Sequence, residues 1–102
     1  MTNKIELEQT SEMCPEQYWA KIDSKIIGYI RLRWGHLTCD YLPFGELSKQ
    51  DVRLVDYVFP NDEYKGSFDS DEERKRWLKK CTQLLIKKLN FFILFLTNLI
   101  IF

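Results

Sequence analysis

The sequence predicts an α+β domain in which a four-stranded antiparallel β-meander packs against one long C-terminal helix. Up to Phe59 the apolar residues recur with the period of two that is typical of strands. After Ser70 they recur at the three- and four-residue spacing of an amphipathic helix. A chain of 102 residues is long enough for one modest core. If the helix covers one face of the sheet, both apolar surfaces are buried in that single core.

The central hairpin begins with a strand from Ile26 to Trp34, where apolar residues alternate with a set that includes two arginines. Gly35 and His36 fit the two-residue turn that follows, with glycine at the position that needs a positive φ. This turn predicts an apolar face and a polar face for the hairpin. The expected pairs are Trp34 with Leu37, Leu32 with Cys39 and Ile30 with Tyr41 on the apolar face, and Arg33 with Thr38 and Arg31 with Asp40 on the polar face.

The preceding strand is predicted from Tyr18 to Ile22, joined to the hairpin through a loop of three residues, 23–25. A loop of two residues would exchange the two faces of this strand, because a slip of one residue reverses every side chain. We favour the three-residue loop because it places small and apolar residues in the core. It pairs Ala20 with Gly28 and Ile22 with Ile26 in the core, and it sets Trp19 beside Tyr29 on the outer face.

The fourth strand is predicted from Asp51 to Phe59, at an edge of the sheet, with an alternation that is consistent with a bulge. Pro60 ends it, and residues 61–66 form an acidic loop.

A capping box of Ser70 and Glu73 marks the start of the predicted helix. Further acidic residues lie in its first turn, where the positive end of the helix dipole stabilises negative charge. The stripe that follows is expected to cover the apolar face of the sheet. The residues of the stripe are Trp77, Leu78, Cys81, Leu84, Leu85 and Leu89.

The chain divides into three predicted segments. Residues 1–16 are expected to form a flexible acidic arm, and residues 17–89 the single α+β domain. Residues 90–102 form an uncharged hydrophobic tail, which is unlike a solvated helix. We expect this tail to be buried, to join copies of the chain as a homo-oligomer contact, or to act as a weak membrane anchor. An anchor would need residues 84–102, because the tail alone is shorter than the hydrocarbon core of about 30 Å.

Charge and cysteine content narrow the classes of function. Fifteen basic and fifteen acidic residues cancel, so no overall field draws the chain to nucleic acid or to anionic membrane. Three cysteines without a CxxC pair, and no signal-like start, indicate a reduced protein in the cytoplasm or on the cytoplasmic face of a membrane. Cys39 and Cys81 fall on predicted core faces. One histidine and three dispersed cysteines do not make a zinc site, so we expect no metal and no cofactor.

Known catalytic motifs are absent from the sequence. It contains no phosphate-binding loop, dinucleotide fingerprint, GxSxG or HExxH. His36 falls in a predicted turn and Cys39 is expected to point into the core, so the two do not form a nucleophile and base pair. We therefore predict that the protein is not an enzyme.

The outer face of the predicted sheet carries the candidate binding residues. Trp19, Tyr29, Arg31 and Arg33 would lie together there, and these residue types dominate protein-interface hot spots. Asp62 and Glu63 of the acidic loop form a second candidate, suited to a basic groove on a partner.

These surfaces predict a small protein-binding module, either an adaptor or an inhibitor. Its size and composition would suit a viral or mobile-element protein that acts on a host protein. The same sheet face could instead stack the bases and contact the phosphates of single-stranded nucleic acid. A third hypothesis is a membrane-tethered module that uses residues 84–102.

Overall fold

The structure, a computed structural model, describes residues 4–10 and 14–101, with side chains as far as Phe91 and at Ile93. An antiparallel sheet of five consecutive strands packs against one C-terminal helix, which confirms the α+β class. The sheet has five strands where four were predicted. The elements are β1 (Glu6–Gln9), β2 (Glu16–Ile22), β3 (Lys25–Arg33), β4 (His36–Tyr41), β5 (Val52–Val58) and α1 (Asp71–Ile101).

The additional strand, β1, comes from the segment that the sequence assigned to the acidic arm. It pairs antiparallel with β2, so that Leu7 lies opposite Ala20 and packs against the core. On the other face the Lys21 Nζ atom lies 3.0 Å from an oxygen of Glu8. A strand of four residues carries too short a pattern to be identified without its neighbour.

The β2–β3 hairpin has a different turn from the predicted one, and it confirms the predicted faces only in the part that lies beyond a bulge near this turn. Asp23 and Ser24 form a two-residue turn, both with positive φ (50° and 69°), and Ile27 of β3 is the extra residue of a bulge, because Ala20 pairs with Gly28 and Lys21 with Ile26. This bulge compensates for the shorter loop, so up to Ala20 in β2 and from Gly28 on in β3 the faces are those of a three-residue loop. Between the bulge and the turn the prediction is wrong, because Ile27 packs against the core and Ile26 pairs with Lys21. The predicted pairs of Ala20 with Gly28 and Trp19 with Tyr29 are confirmed, whereas Ile22 pairs with Lys25 and not with Ile26.

The β3–β4 hairpin differs from the prediction in the position of its turn. The central residues are Trp34 and Gly35, with φ of 54° and 68°, as in a type I′ turn with glycine second. Each residue of β3 therefore pairs with a β4 residue two positions earlier than predicted. A shift of two leaves every side chain on its predicted face and changes only the cross-strand pairs. Trp34 is 63% exposed in the turn and does not face Leu37 in the core. The observed pairs are Arg33 with His36, Leu32 with Leu37, Arg31 with Thr38, Ile30 with Cys39, Tyr29 with Asp40 and Gly28 with Tyr41.

The β4–β5 pair contains the bulge that the sequence suggested. Cys39 lies opposite Val55 and Asp40 opposite Arg53, which leaves Leu54 as the extra residue. The new register also decides the partner of Asp40. Its carboxylate accepts hydrogen bonds from Arg53 at 2.8 and 3.2 Å, so the predicted pairing of Asp40 with Arg31 is wrong.

The helix α1 begins with the predicted cap. The Ser70 hydroxyl accepts a hydrogen bond from the Glu73 backbone N–H at 3.1 Å, and the Glu73 carboxylate accepts one from the Asp69 N–H at 3.0 Å. Farther along, Cys81 and Leu85 are fully buried against the sheet. The rest of the predicted stripe packs around them: Trp77, Leu78, Leu84 and Leu89.

The closest approach of helix to sheet occurs at Gly28 in β3. A Cβ atom at this position would lie 2.7 Å from Leu85 Cδ2 and 3.2 Å from the Asp40 carbonyl oxygen. The contact of 2.7 Å would force the buried Leu85 side chain to move, and the contact of 3.2 Å with the backbone is tight, so the packing of α1 favours glycine at position 28.

We expect the substitution Gly28→Ala to lower the free energy of unfolding by about 1–3 kcal/mol, because the added methyl group overpacks the core. In a Leu85→Ala background the same substitution should cost at least about 1 kcal/mol less, since the space is then vacant. Urea denaturation of the four proteins measures both values. Equal costs in the two backgrounds would contradict this packing.

The helix continues through the hydrophobic tail to Ile101. The side chains of Phe91 and Ile93 are 64% and 49% exposed. Within residues 4–10 and 14–101, no helix is both long and apolar enough to cross a bilayer. The tail as a buried segment, as an oligomer contact or as a weak anchor remains a prediction.

Candidate binding surface on the outer face of the sheet

The outer face is the side of the sheet opposite α1, and its residues are defined by the observed register. Because cross-strand partners share a face, three rows of side chains run across the strands. The rows are Glu8, Trp19, Tyr29, Asp40 and Arg53; Gln17, Arg31, Thr38 and Asp56; and Arg33, His36 and Val58.

The aromatic pair of the first row is held in place. The rings of Trp19 and Tyr29 lie 4.7 Å apart between centroids, at an angle of 39°. The Tyr29 hydroxyl donates a hydrogen bond of 2.9 Å to the side-chain oxygen of Gln17. Both rings are partly buried, so this pair presents a firm apolar platform with defined edges.

The two aspartates of this face are already engaged. Asp40 is buried and accepts the two hydrogen bonds from Arg53, which raise the pKa of that guanidinium. Asp56 is hydrogen-bonded to the Nε2 atom of His36 across β4 and β5. The hydrogen bond to His36 lowers the pKa of Asp56 below its ordinary value, so the Asp56 carboxylate is ionised at neutral pH.

Arg31 and Arg33 are the cations of this face that have no such partner. Within the described part of the chain neither forms an ion pair, and the buried Arg31 Nε atom has no hydrogen-bond partner. A buried donor without an acceptor costs about 1–3 kcal/mol. The Arg33 guanidinium lies 5.6 Å from the ring centroid of Trp34. A cleft of about 330 Å³ lies here, lined by Arg31, Arg33, Trp34, His36, Thr38 and Arg53.

The acidic loop, residues 61–66, lies against the β3–β4 turn at the end of this face. The Gly35 N–H donates to the Lys65 carbonyl at 2.8 Å, and the rings of Tyr64 and Trp34 meet edge to face at 6.2 Å. Asp62 and Glu63 are exposed on the loop, with Asp62 4.0 Å from Lys65 Nζ. The structure therefore groups Trp19 with Tyr29 and Arg31 with Arg33, and it places the two acidic residues beside the face and not on it.

A buried lysine explains why this loop adopts its position, and no pattern in the sequence indicated its burial. The Lys65 side chain is 3% exposed, and its Nζ lies 2.8 Å from Asp69 and 3.1 Å from Glu73. The same nitrogen lies 5.0 Å from the ring centroid of Phe59. Burial acts to lower the pKa of Lys65, but the hydrogen bonds to Asp69 and Glu73 outweigh it and raise that pKa. The amine is therefore charged and ties the loop to the start of α1.

A buried carboxylate, Glu16, makes the corresponding tie between β2 and α1. It is 4% exposed and accepts hydrogen bonds from Arg74 Nε at 2.7 Å and from the Phe68 N–H at 3.1 Å. The Tyr18 hydroxyl donates to the same carboxylate. Burial acts to raise the pKa of Glu16, but these hydrogen bonds hold it below its ordinary value of 4.5. The sequence placed Glu16 in the acidic arm, because Phe68 and Arg74, which tie it to the start of α1, lie far away along the chain.

We expect Glu16→Gln to lower the free energy of unfolding by about 3 kcal/mol at neutral pH, the lower end for a broken buried pair, because Arg74 keeps some contact with water. Since the pKa of Glu16 is lower in the folded state, its contribution is present above pH 4.5 and is lost as the pH falls through the folded value. The variant should therefore lose less stability on acidification than the wild-type chain does.

Denaturant titrations of both proteins at neutral pH and well below pH 4.5 measure this difference. Asp71→Asn is the matched control, because it removes the exposed carboxylate that pairs with the same Arg74 and should cost less than about 1 kcal/mol. Equal costs for the two variants would contradict the role of Glu16.

The cysteines occupy two environments. Cys39 and Cys81 are fully buried where β4 meets α1, which confirms their prediction as small core residues, and Cys14 is exposed. The hydrogen bond between the buried pair, together with burial, raises the pKa of Cys39. Among the residues that the structure describes, no three histidine, cysteine or acidic side chains are placed to hold a metal ion.

Comparison of the chain with protein-family models, with curated proteins and with solved structures gives no match.

Proposed function

We propose that this chain is a non-enzymatic module that binds a partner protein through the outer face of its sheet, as an adaptor or as an inhibitor. The observation that carries the proposal is the pair of arginines without ionic partners in the described chain, Arg31 and Arg33, on the same face as the ordered aromatic pair. Arginine, tyrosine and tryptophan are the residues most often responsible for binding energy at interfaces.

The rigidity of this face supports the same function. Trp19 and Tyr29 are fixed by each other and by the hydrogen bond to Gln17, so they lose little side-chain entropy when a partner covers them. The sheet beneath them is anchored by the fully buried side chains of Ile30 and Leu32 on its opposite face. A preorganised surface of this kind needs no cofactor to bind a protein.

Single-stranded nucleic acid is the second candidate ligand of the same face. The Trp19–Tyr29 pair offers aromatic planes, and Arg31 and Arg33 offer charge for phosphates. Two carboxylates on the face favour a protein over nucleic acid as the ligand. Asp40 and Asp56 lie in the same rows as these groups, where a backbone of successive phosphates would approach them.

The experiment is affinity capture from source-cell lysate with the full-length chain as bait, with and without nuclease. We expect a protein partner that survives nuclease, and we expect Trp19→Ala or Arg33→Gln to weaken its binding by about 30-fold, the effect of losing one hot spot of 2 kcal/mol. Arg76→Gln, on the exposed side of α1, is the matched control and should bind as the wild-type chain does.

Circular dichroism and thermal unfolding of each variant must first show an intact fold. If nuclease treatment abolishes capture of the partner, the ligand of the outer face is nucleic acid and not a protein. A partner that binds the outer-face variants and the wild-type chain equally would contradict the proposal.

A further inference from the structure

We propose that the cleft around Arg31 binds the phosphate group of a phosphorylated side chain on the partner protein. This inference rests on the proposed protein-binding function and names the chemistry of one contact within it. The cleft collects side chains from β3, β4 and β5 together with the turn residue Trp34, and its volume is about 330 Å³. Such a volume accommodates a small anionic group with its neighbouring atoms.

The unpartnered Arg31 Nε atom is the observation that points to an oxyanion. Nε is a fixed N–H donor that is buried in the outer face and finds no acceptor within the described chain. The acceptors of this face have other partners, since Asp40 is held by Arg53, Asp56 by His36 and the side-chain oxygen of Gln17 by Tyr29. The guanidinium is planar, and a rotation of the Arg31 side chain that brings this unpaired N–H to the cleft would let it match two oxygens of one phosphate in a bidentate arrangement.

The charges of the cleft favour a dianion over a single carboxylate. Arg31 and Arg33 stand at positions i and i+2 of the same strand, and neither has an ionic partner in the described ranges. A phosphate monoester carries about −1.5 to −2 charges at neutral pH, close to the sum of these two cations. Thr38, the cross-strand partner of Arg31, adds a hydroxyl donor to the same cleft.

The surroundings favour an isolated phosphate over those of a nucleic acid strand. A strand is bound by a groove that follows several phosphates, whereas here the excess of positive charge is confined to one cleft. The cleft adjoins a second one of about 230 Å³, which shares Arg33 and Trp34 with it and extends to Tyr64. This aromatic cleft suits the side chain of a residue that neighbours the phosphorylated one in an extended peptide.

The direct test is NMR titration of the full-length, isotope-labelled chain with small probes. The probes are the N-acetyl amides of phosphotyrosine and phosphoserine, N-acetylglutamate amide, inorganic phosphate and 5′-phosphorylated oligothymidine. We expect the phosphorylated amino acids to shift the signals of Thr38, His36 and the Arg31 Nε–H, and to bind more tightly than the glutamate probe. No shift in the cleft, equal affinity for the glutamate probe, or tighter binding of oligothymidine would each overturn the proposal.

Three variants separate this role from structural effects. Arg31→Gln and the exposed Arg33→Gln should each weaken binding of the phosphorylated probe by about 10- to 100-fold, the loss of a hydrogen bond to a charged group. Arg31→Lys keeps the charge but loses the Nε–H fork, so it should recover only a minor part of the affinity. Full recovery by lysine would overturn the bidentate contact, and Arg76→Gln is the control that should leave binding unchanged.

A phosphatase arm separates this inference from the proposed function. Lysate is treated with phosphatase before capture by the wild-type chain. Loss of a partner that also requires Arg31 supports the phosphate site. A partner that requires Trp19 but is recovered equally from treated and untreated lysate would overturn the phosphate inference while the proposed function stands.

Discussion

The buried carboxylate of Glu16 is the constraint on which the rest of the arrangement depends. It joins three parts of the chain, because Tyr18 of its own strand, the Phe68 N–H before the helix and Arg74 in the first turn of α1 all donate to it. A charge that has been taken out of water is costly to leave without partners. The contact therefore fixes where α1 starts over the sheet, and the helix then runs so that Leu85 lies over the one strand position that has no side chain.

This placement divides the sheet into a covered face and an open one, and the division determines what the molecule offers to partners. The stripe of α1 buries the apolar face, so the polar side chains of the strands are left in water on the other. Two of the carboxylates there have local hydrogen-bond partners, Arg53 for Asp40 and His36 for Asp56, whereas neither Arg31 nor Arg33 forms an ion pair with any described residue. A chain with no net charge thus acquires a local excess of positive charge beside two ordered aromatic rings.

The sequence predicted the faces of the strands more reliably than their registers. The β3–β4 turn lies one residue earlier than predicted, which moves each partner by two and leaves each face unchanged. The predicted pair of Trp19 and Tyr29 is observed, because it depends on the β2–β3 register and not on the β3–β4 turn. The predicted environment of Arg31 is wrong, because its cross-strand partner is Thr38 and not Asp40. The buried charges could not be predicted, because no local pattern links Glu16 to a residue 58 positions away. The strand β1 was missed for a related reason: it is stable only as an addition to β2.

The central claim is that one face of the sheet is covered by α1 and the other is open. Solvent paramagnetic relaxation on the full-length chain, with a neutral gadolinium chelate, tests it directly by NMR. The account predicts strong broadening for the side-chain signals of Arg33, Thr38 and Trp34, and protection for Leu37 and Leu85. Protection of the arginine face equal to that of Leu85 would show that another part of the chain or a second copy covers it, and would contradict the account.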